Sequence, residues 1–126
     1  MVERGFMKGA GMIIAIVNGK GGVGKSTVAI KFAGALNRGG ATVFLVDADP
    51  QGTMSGWFEA RRERGTEAED GTLTGTPKPW SVGELSDRLS AEASKADITL
   101  IDCGPANGKV EKAAMALSSH AIIPVT

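Results

Sequence analysis

The chain has 126 residues, room for one domain of ordinary size and no second. Fourteen Lys and Arg balance fourteen Asp and Glu to a formal net charge of zero, which excludes a surface that is basic throughout but leaves space for a local basic patch. Apolar residues at 42% exclude a disordered tail, one cysteine excludes a disulfide framework or a cysteine-rich metal site, and eighteen glycines, about twice the usual share, direct attention to chemistry done by the backbone.

Residues 1–11 carry Gly5, Gly9 and Gly11 without periodicity and read as a loose leader, with Met1, Met7 and Met12 all candidate starts. Arg4 and Lys8 ahead of an apolar run imitate a signal peptide, but no small-residue cleavage site follows. Met12–Val17 is continuous and apolar, as a strand buried on both faces should be. After the loop 18–24, residues 25–38 space Val28, Ala29, Phe32, Ala33, Ala35 and Leu36 as a helix, which Gly39-Gly40 stops.

Thr42–Val46 reads as a second buried strand, ending in Asp47-Ala48-Asp49-Pro50. Residues 53–64 suit a helix with Met54, Trp57 and Phe58 inward and a solvated Glu59–Arg64 tail. Residues 65–80 mix Gly, Thr and Pro and read as a loop with room for a short edge strand. Ser81-Val82-Gly83-Glu84 predicts a capping box opening a helix to about Lys95. A third strand is expected at Ile98–Ile101, a helix at 109–119 and a fourth strand at Ala121–Val125. No stretch reaches the roughly 18 apolar residues of a membrane helix.

This alternation predicts an α/β fold: a mostly parallel sheet with helices on both faces. Ligands in such sheets bind beyond the carboxyl ends of the strands. Three segments converge there: 18–26, 47–51 and 102–105. The first contains Gly19-Lys20-Gly21-Gly22-Val23-Gly24-Lys25-Ser26, the G-x-x-x-x-G-K-[ST] pattern between a predicted strand and a predicted helix. Glycines let successive N–H groups curl onto phosphate oxygens, and the helix after the loop adds its free N–H groups and positive end. Lys25 supplies a charge for the β- and γ-phosphates, and the Ser26 hydroxyl suits Mg2+. Asp102, closing the apolar run Ile98-Thr99-Leu100-Ile101, suits the far side of the same cation.

The lysine near the start of KGGVGKST, Lys20, resembles the deviant Walker A signature of the ParA/MinD family of P-loop ATPases. Asp47-Ala48-Asp49-Pro50-Gln51-Gly52 is similar to the family's second motif, and Asp97–Pro105 to its third. Ala121-Ile122-Ile123-Pro124-Val125-Thr126 resembles the family's next strand, so the likeness spans 12–126 and is nearest to plasmid and chromosome partition ATPases. The resemblance implies a nucleotide-binding domain over 12–126 with ATP and Mg2+ as ligands. It implies that Gly21, Gly22, Val23, Gly24, Lys25, Ser26 and Thr27 hold the nucleotide, Thr27 near the α-phosphate. Lys20 would reach the ATP of a second subunit across a nucleotide-sandwiched homodimer, Asp49 would orient the attacking water, and Asp102 would secure Mg2+ with Ser26. A centromere-binding adaptor would stimulate hydrolysis, in a cytoplasmic setting without membrane attachment.

Gly19 stands where partition ATPases often carry glutamine, a change that leaves the backbone cradle intact. Family members continue past the Ile-Pro-Val strand, so the resemblance also implies that 12–126 is an N-terminal portion. In relatives, the region beyond that strand supplies adenine recognition, much of the dimer surface and non-specific DNA binding, and with the last comes nucleoid association of a full-length form. Three other readings remain: a MinD-like membrane-associated regulator, an ATP-dependent amidoligase or carboxylase of the same fold, and an inactive fragment. Iron–sulfur reductases need paired cysteines and tyrosine autokinases need tyrosines; this chain has one cysteine and no tyrosine. Asp47 suits either a turn cap before Pro50 or a site carboxylate, and both stay open. Cys103 reads as a small buried residue, Trp57 as packing, His120 as a solvated residue or helix cap, and Glu63, Glu67, Glu69 and Asp70 as a solvated face.

Overall fold

Each continuous apolar run in the chain becomes a strand, and each segment of helical spacing becomes a helix. The computed structural model describes residues 11–17, 25–49, 52–64, 73–76, 78–103 and 108–122. In chain order these form β1 (Met12–Ile16), α1 (Lys25–Arg38), β2 (Val43–Asp47), α2 (Thr53–Arg64), β3 (Leu73–Gly75), α3 (Val82–Ala93), β4 (Ile98–Asp102), α4 (Gly108–Leu117) and β5 (His120–Ile122). The strands make one sheet in the order β3-β2-β4-β1-β5, and every described pair is parallel. Residues 1–10 of the 1–11 leader, and residues 65–72 and 77 of the 65–80 loop expectation, lie outside the described residues.

Side chains alternate across a strand, so each central strand feeds two apolar layers. One layer joins Ile14 and Ile16, Val43 and Leu45, and Ile98 and Leu100 to Ala29 and Ala33 of α1 and Met54 of α2. The other joins Ala15, Val46, Ile101 and Cys103 to Leu85 and Leu89 of α3 and Val110 and Ala114 of α4. Helices therefore cover both faces. Leu85 and Leu89, one helical turn apart, are buried to within 1%, and each contributes about 2 kcal/mol by leaving water.

Local chemistry sets the element ends. Ser81 Oγ accepts from Glu84 N at 3.1 Å while Glu84 Oε1 accepts from Ser81 N at 2.9 Å, which is the capping box the sequence predicts. Gly40 ends α1 with φ of 106°, a conformation open to glycine, and its N–H donates to the Asn37 carbonyl at 3.0 Å. Helix α3 stops at Ala93, short of the expected Lys95, because Ser94 Oγ donates to the Ala91 carbonyl at 2.7 Å and the chain tightens there. Strand β5 starts at His120, one residue early: Ser119 N and Oγ both donate to the Ile13 carbonyl, at 2.8 and 2.9 Å. The edge strand is real and pairs Val43, Phe44 and Leu45 of β2 with Leu73, Thr74 and Gly75.

The amino ends of β2 and β4 are tied by side chains as well. Thr42 N donates to Asp97 Oδ2 and Asp97 N donates to Thr42 Oγ1, each at 2.9 Å. Tied at one end, the sheet presents its three central strand tips at the other.

Candidate functional site

At the carboxyl edge the register places Ile16 beside Asp102 and Asp102 beside Asp47. Asp102 is thus in the middle, between the strand that leads into the glycine-rich motif and the strand that leads into Asp47-Ala48-Asp49. Strand alternation puts both Asp47 and Asp102 on the face covered by α1 and α2. Asp47 and Asp102 are fully buried and Asp49 nearly so, at 5% exposure. The ladder runs on past the strands: Ala48 N donates to the Asp102 carbonyl at 2.9 Å, and Cys103 N to the Ile16 carbonyl at 3.3 Å.

Asp47 has partners at both carboxylate oxygens and at both of its backbone groups. Its Oδ1 accepts from Asp49 N at 3.0 Å and its Oδ2 from Ser55 N at 2.8 Å. Its own N donates to Thr76 Oγ1 at 3.0 Å, and its carbonyl accepts from Trp80 N at 2.7 Å. The Ser55 hydroxyl is close enough to the carboxylate to favour its charged form, yet it makes no hydrogen bond of good geometry with any described group. Burial pushes the Asp47 carboxyl above its ordinary value, the Ser55 and Asp49 hydrogen bonds pull it back, and the charge of Asp102 adds to the rise. Between them Asp49 and α2 are held by a turn in which Gly52 N donates to the Asp49 carbonyl at 2.8 Å, with Gly52 at φ 70°.

Of the predicted site residues, Asp49 and Asp102 come together at this edge. Lys25, Ser26 and Thr27 form the first turn of α1, where the helix has no acidic side chain of its own to occupy the positive end; only their backbone is described. Lys20, Gly21, Gly22, Val23 and Gly24 lie outside the described residues. Cys103 is buried, His120 is exposed at the start of β5, and Trp57 packs on the α1 layer. Asp47 is the residue that sequence reasoning left undecided, although it closes an apolar strand as Asp102 does. Among the described residues no group of three or more His, Cys, Asp or Glu gathers as a metal site, and no helix is long and apolar enough to cross a membrane.

Comparison with known proteins agrees with this fold. The family described as CobQ/CobB/MinD/ParA nucleotide binding domain matches residues 14–118. The maintenance of carboxysome distribution protein A of Gloeobacter kilaueensis is 35% identical over 88% of this chain and 47% of its own length. The chromosome-partitioning ATPase Soj of Thermus thermophilus is 54% identical over 41% of this chain and 21% of its own. The chain therefore spans about half the length of the first of these relatives and less of the second. A putative plasmid partition protein from Borrelia burgdorferi B31, solved with AMPPNP bound, superposes with a TM-score of 0.64 at 25% identity, over 90% of this chain and 62% of that one. With a parallel α/β sheet whose central strand tips meet at two buried aspartates, and a family match over most of its length, the chain belongs to the CobQ/CobB/MinD/ParA nucleotide-binding domain family.

Proposed function

We propose that the chain binds Mg·ATP at the carboxyl edge of its sheet and works as a ParA-like ATPase of plasmid or chromosome partitioning. The observation that carries this reading is the place of Asp102, between β1, which feeds the phosphate-loop motif, and β2, which feeds Asp49. The relatives named for chromosome and plasmid partition support the biological role.

In this reading the backbone of Gly21, Gly22, Val23 and Gly24 and the first turn of α1 at Lys25, Ser26 and Thr27 cradle the phosphates. Lys25 holds the β- and γ-phosphates of its own subunit, and Lys20 reaches the nucleotide of the other. Asp49 orients the water for hydrolysis. The donor set suits a divalent cation, because neighbouring buried carboxylates repel one another and a cation relieves that repulsion. Ser26 and Asp102 would hold Mg2+, which when bound neutralises phosphate charge. Two lysines meet one nucleotide only when subunits pair, so pairing gates hydrolysis.

The partners of this reading are a second copy of the chain and a centromere-binding adaptor that stimulates hydrolysis. The setting is cytoplasmic. Analytical ultracentrifugation with and without Mg·ATP, on the chain and on a version extended to the length of its relatives, tests it. The proposal predicts an ATP-dependent dimer that Lys20→Ala abolishes. Monomers under every condition contradict it. Turnover that needs a small acceptor and no dimer moves the chain to the amidoligase reading, and ATP-dependent co-sedimentation with liposomes moves it to the membrane-associated one.

A further inference from the structure

Asp49 is a short-loop residue, and a loop carboxylate that must orient a water needs a rigid support. The structure shows where that support comes from. The loop from β2 to α2 is fastened at both ends to one side chain, Asp47: Oδ1 takes the Asp49 N–H and Oδ2 takes the Ser55 N–H in the first turn of α2. The Ser55 N–H is one of the early helix donors that lack a partner within the helix, so Asp47 caps α2 from a distance of eight residues. Asp47 is itself fixed on the strand side by Thr76 Oγ1 and by Trp80 N, and Trp80 is buried against Phe44 with ring centroids 6.0 Å apart. Asp49 and the first turn of α2 are thus both referenced to the sheet through the Asp47 carboxylate, beside the bond from Ala48 N to the Asp102 carbonyl.

We infer that Asp47 is a positioning residue for hydrolysis: its carboxylate latches the Asp49 loop and α2 to the end of β2, and so sets where Asp49 stands relative to the phosphate loop. This rests on the ATPase reading above and adds a regulatory consequence. Whatever draws the Asp47 carboxylate away loosens the Asp49 loop and the first turn of α2 together, because that one side chain accepts from both the Asp49 and the Ser55 N–H. The latch acts through Asp49; Asp47 itself need not touch nucleotide.

The test compares wild type with Asp47→Asn, Asp49→Asn and Ser55→Pro. Asp47→Asn keeps the shape of the side chain and one acceptor, but turns an NH2 group towards a donor. Ser55→Pro removes the donated N–H in the first turn of α2, where proline is tolerated, and leaves the carboxylate intact. For each protein, steady-state ATP hydrolysis, the dissociation constant for Mg·ATP, the Mg2+ dependence of the rate and the exchange of the Asp49 amide are measured, with the Ser55 amide followed in the proteins that keep Ser55. The latch predicts that Asp47→Asn lowers kcat by about tenfold or more, leaves the dissociation constant and the Mg2+ midpoint unchanged, and loses protection at both amides. It predicts that Ser55→Pro lowers kcat in the same direction without any change in the Mg2+ midpoint.

An Asp47→Asn protein with wild-type kcat and protected amides overturns the positioning role alone. So does one whose loss is recovered by raising Mg2+, which makes Asp47 a cation ligand instead. Wild type that neither binds nor hydrolyses Mg·ATP, alone or with partners, overturns the ATPase reading and the positioning role with it.

Discussion

Asp47 and Asp102 stand opposite each other at the last paired position of the β2–β4 ladder, both fully buried. Two carboxylates on neighbouring strands and on one face of the sheet repel, and each has given up its hydration. A fold chosen for stability alone would place apolar or oppositely charged groups there. The pair is therefore the point at which local stability and the proposed chemistry pull in opposite directions.

The pH dependence of stability follows from the Asp47 carboxyl. Burial, with Asp102 adding to it, raises the folded value above the ordinary 3.8, so the folded state binds the proton more tightly than the unfolded state. The stability this confers is fully present below 3.8 and is lost as pH rises through the folded value. At neutral pH the ionised group is a cost. Asp47→Asn should accordingly gain stability relative to wild type as pH rises from about 4 to 7, read from urea midpoints across that range. A gap between the two proteins that narrows with rising pH contradicts this.

Thr99 sits fully buried in the middle of β4, in register with Ile13 on one side and Phe44 on the other, and its hydroxyl has no partner among the described residues. A buried hydroxyl without a hydrogen bond costs stability that an isosteric methyl does not. Thr99→Val should raise the unfolding free energy by about 1 kcal/mol. Urea denaturation measures it, and a loss of stability would show that the hydroxyl has a partner such as an ordered water.

The α3 layer gives a contrast between two leucines. Leu85 is fully buried against the sheet, whereas Leu117 at the end of α4 is 41% exposed. Leu85→Ala should cost about 3 kcal/mol or more, and Leu117→Ala under about 1 kcal/mol. Equal losses would mean that Leu117 is covered in solution.

The capping box is tested by Ser81→Ala, which removes the acceptor for Glu84 N. A loss of about 1 kcal/mol is expected, together with faster amide exchange confined to the first turn of α3. Unchanged exchange at Glu84 contradicts the role given to Ser81.

Much of the fold was legible because its signals are local. The spacing of Ala29 and Ala33, the stop at Gly39-Gly40 and the Ser81–Glu84 pair each depend on residues within a turn or two of one another. Helices α1 and α2 accordingly begin and end where periodicity places them. Parallel pairing followed from the alternation of strand and helix. The role of Asp47 did not, because its partners are at distances no pattern reports: Thr76 is 29 residues away and Ser55 eight. Ser94 and Ser119 escaped for a similar reason, since a serine hydroxyl that takes a backbone carbonyl looks in sequence like any other surface serine. The nucleotide contacts proposed for Lys20 and Gly21–Gly24 rest on their motif and on the family, while the places of Asp47 and Asp102 rest on geometry.

The central claim is that the carboxyl edge of the sheet binds nucleotide through Lys25. Its most direct test is a thermal melt of the 126-residue chain, with and without Mg·ATP, beside Lys25→Ala. The account predicts that wild type is stabilised by about 3 kcal/mol at a hundred times the dissociation constant, and that Lys25→Ala is not. Equal shifts in both proteins, or no shift in either, contradict it.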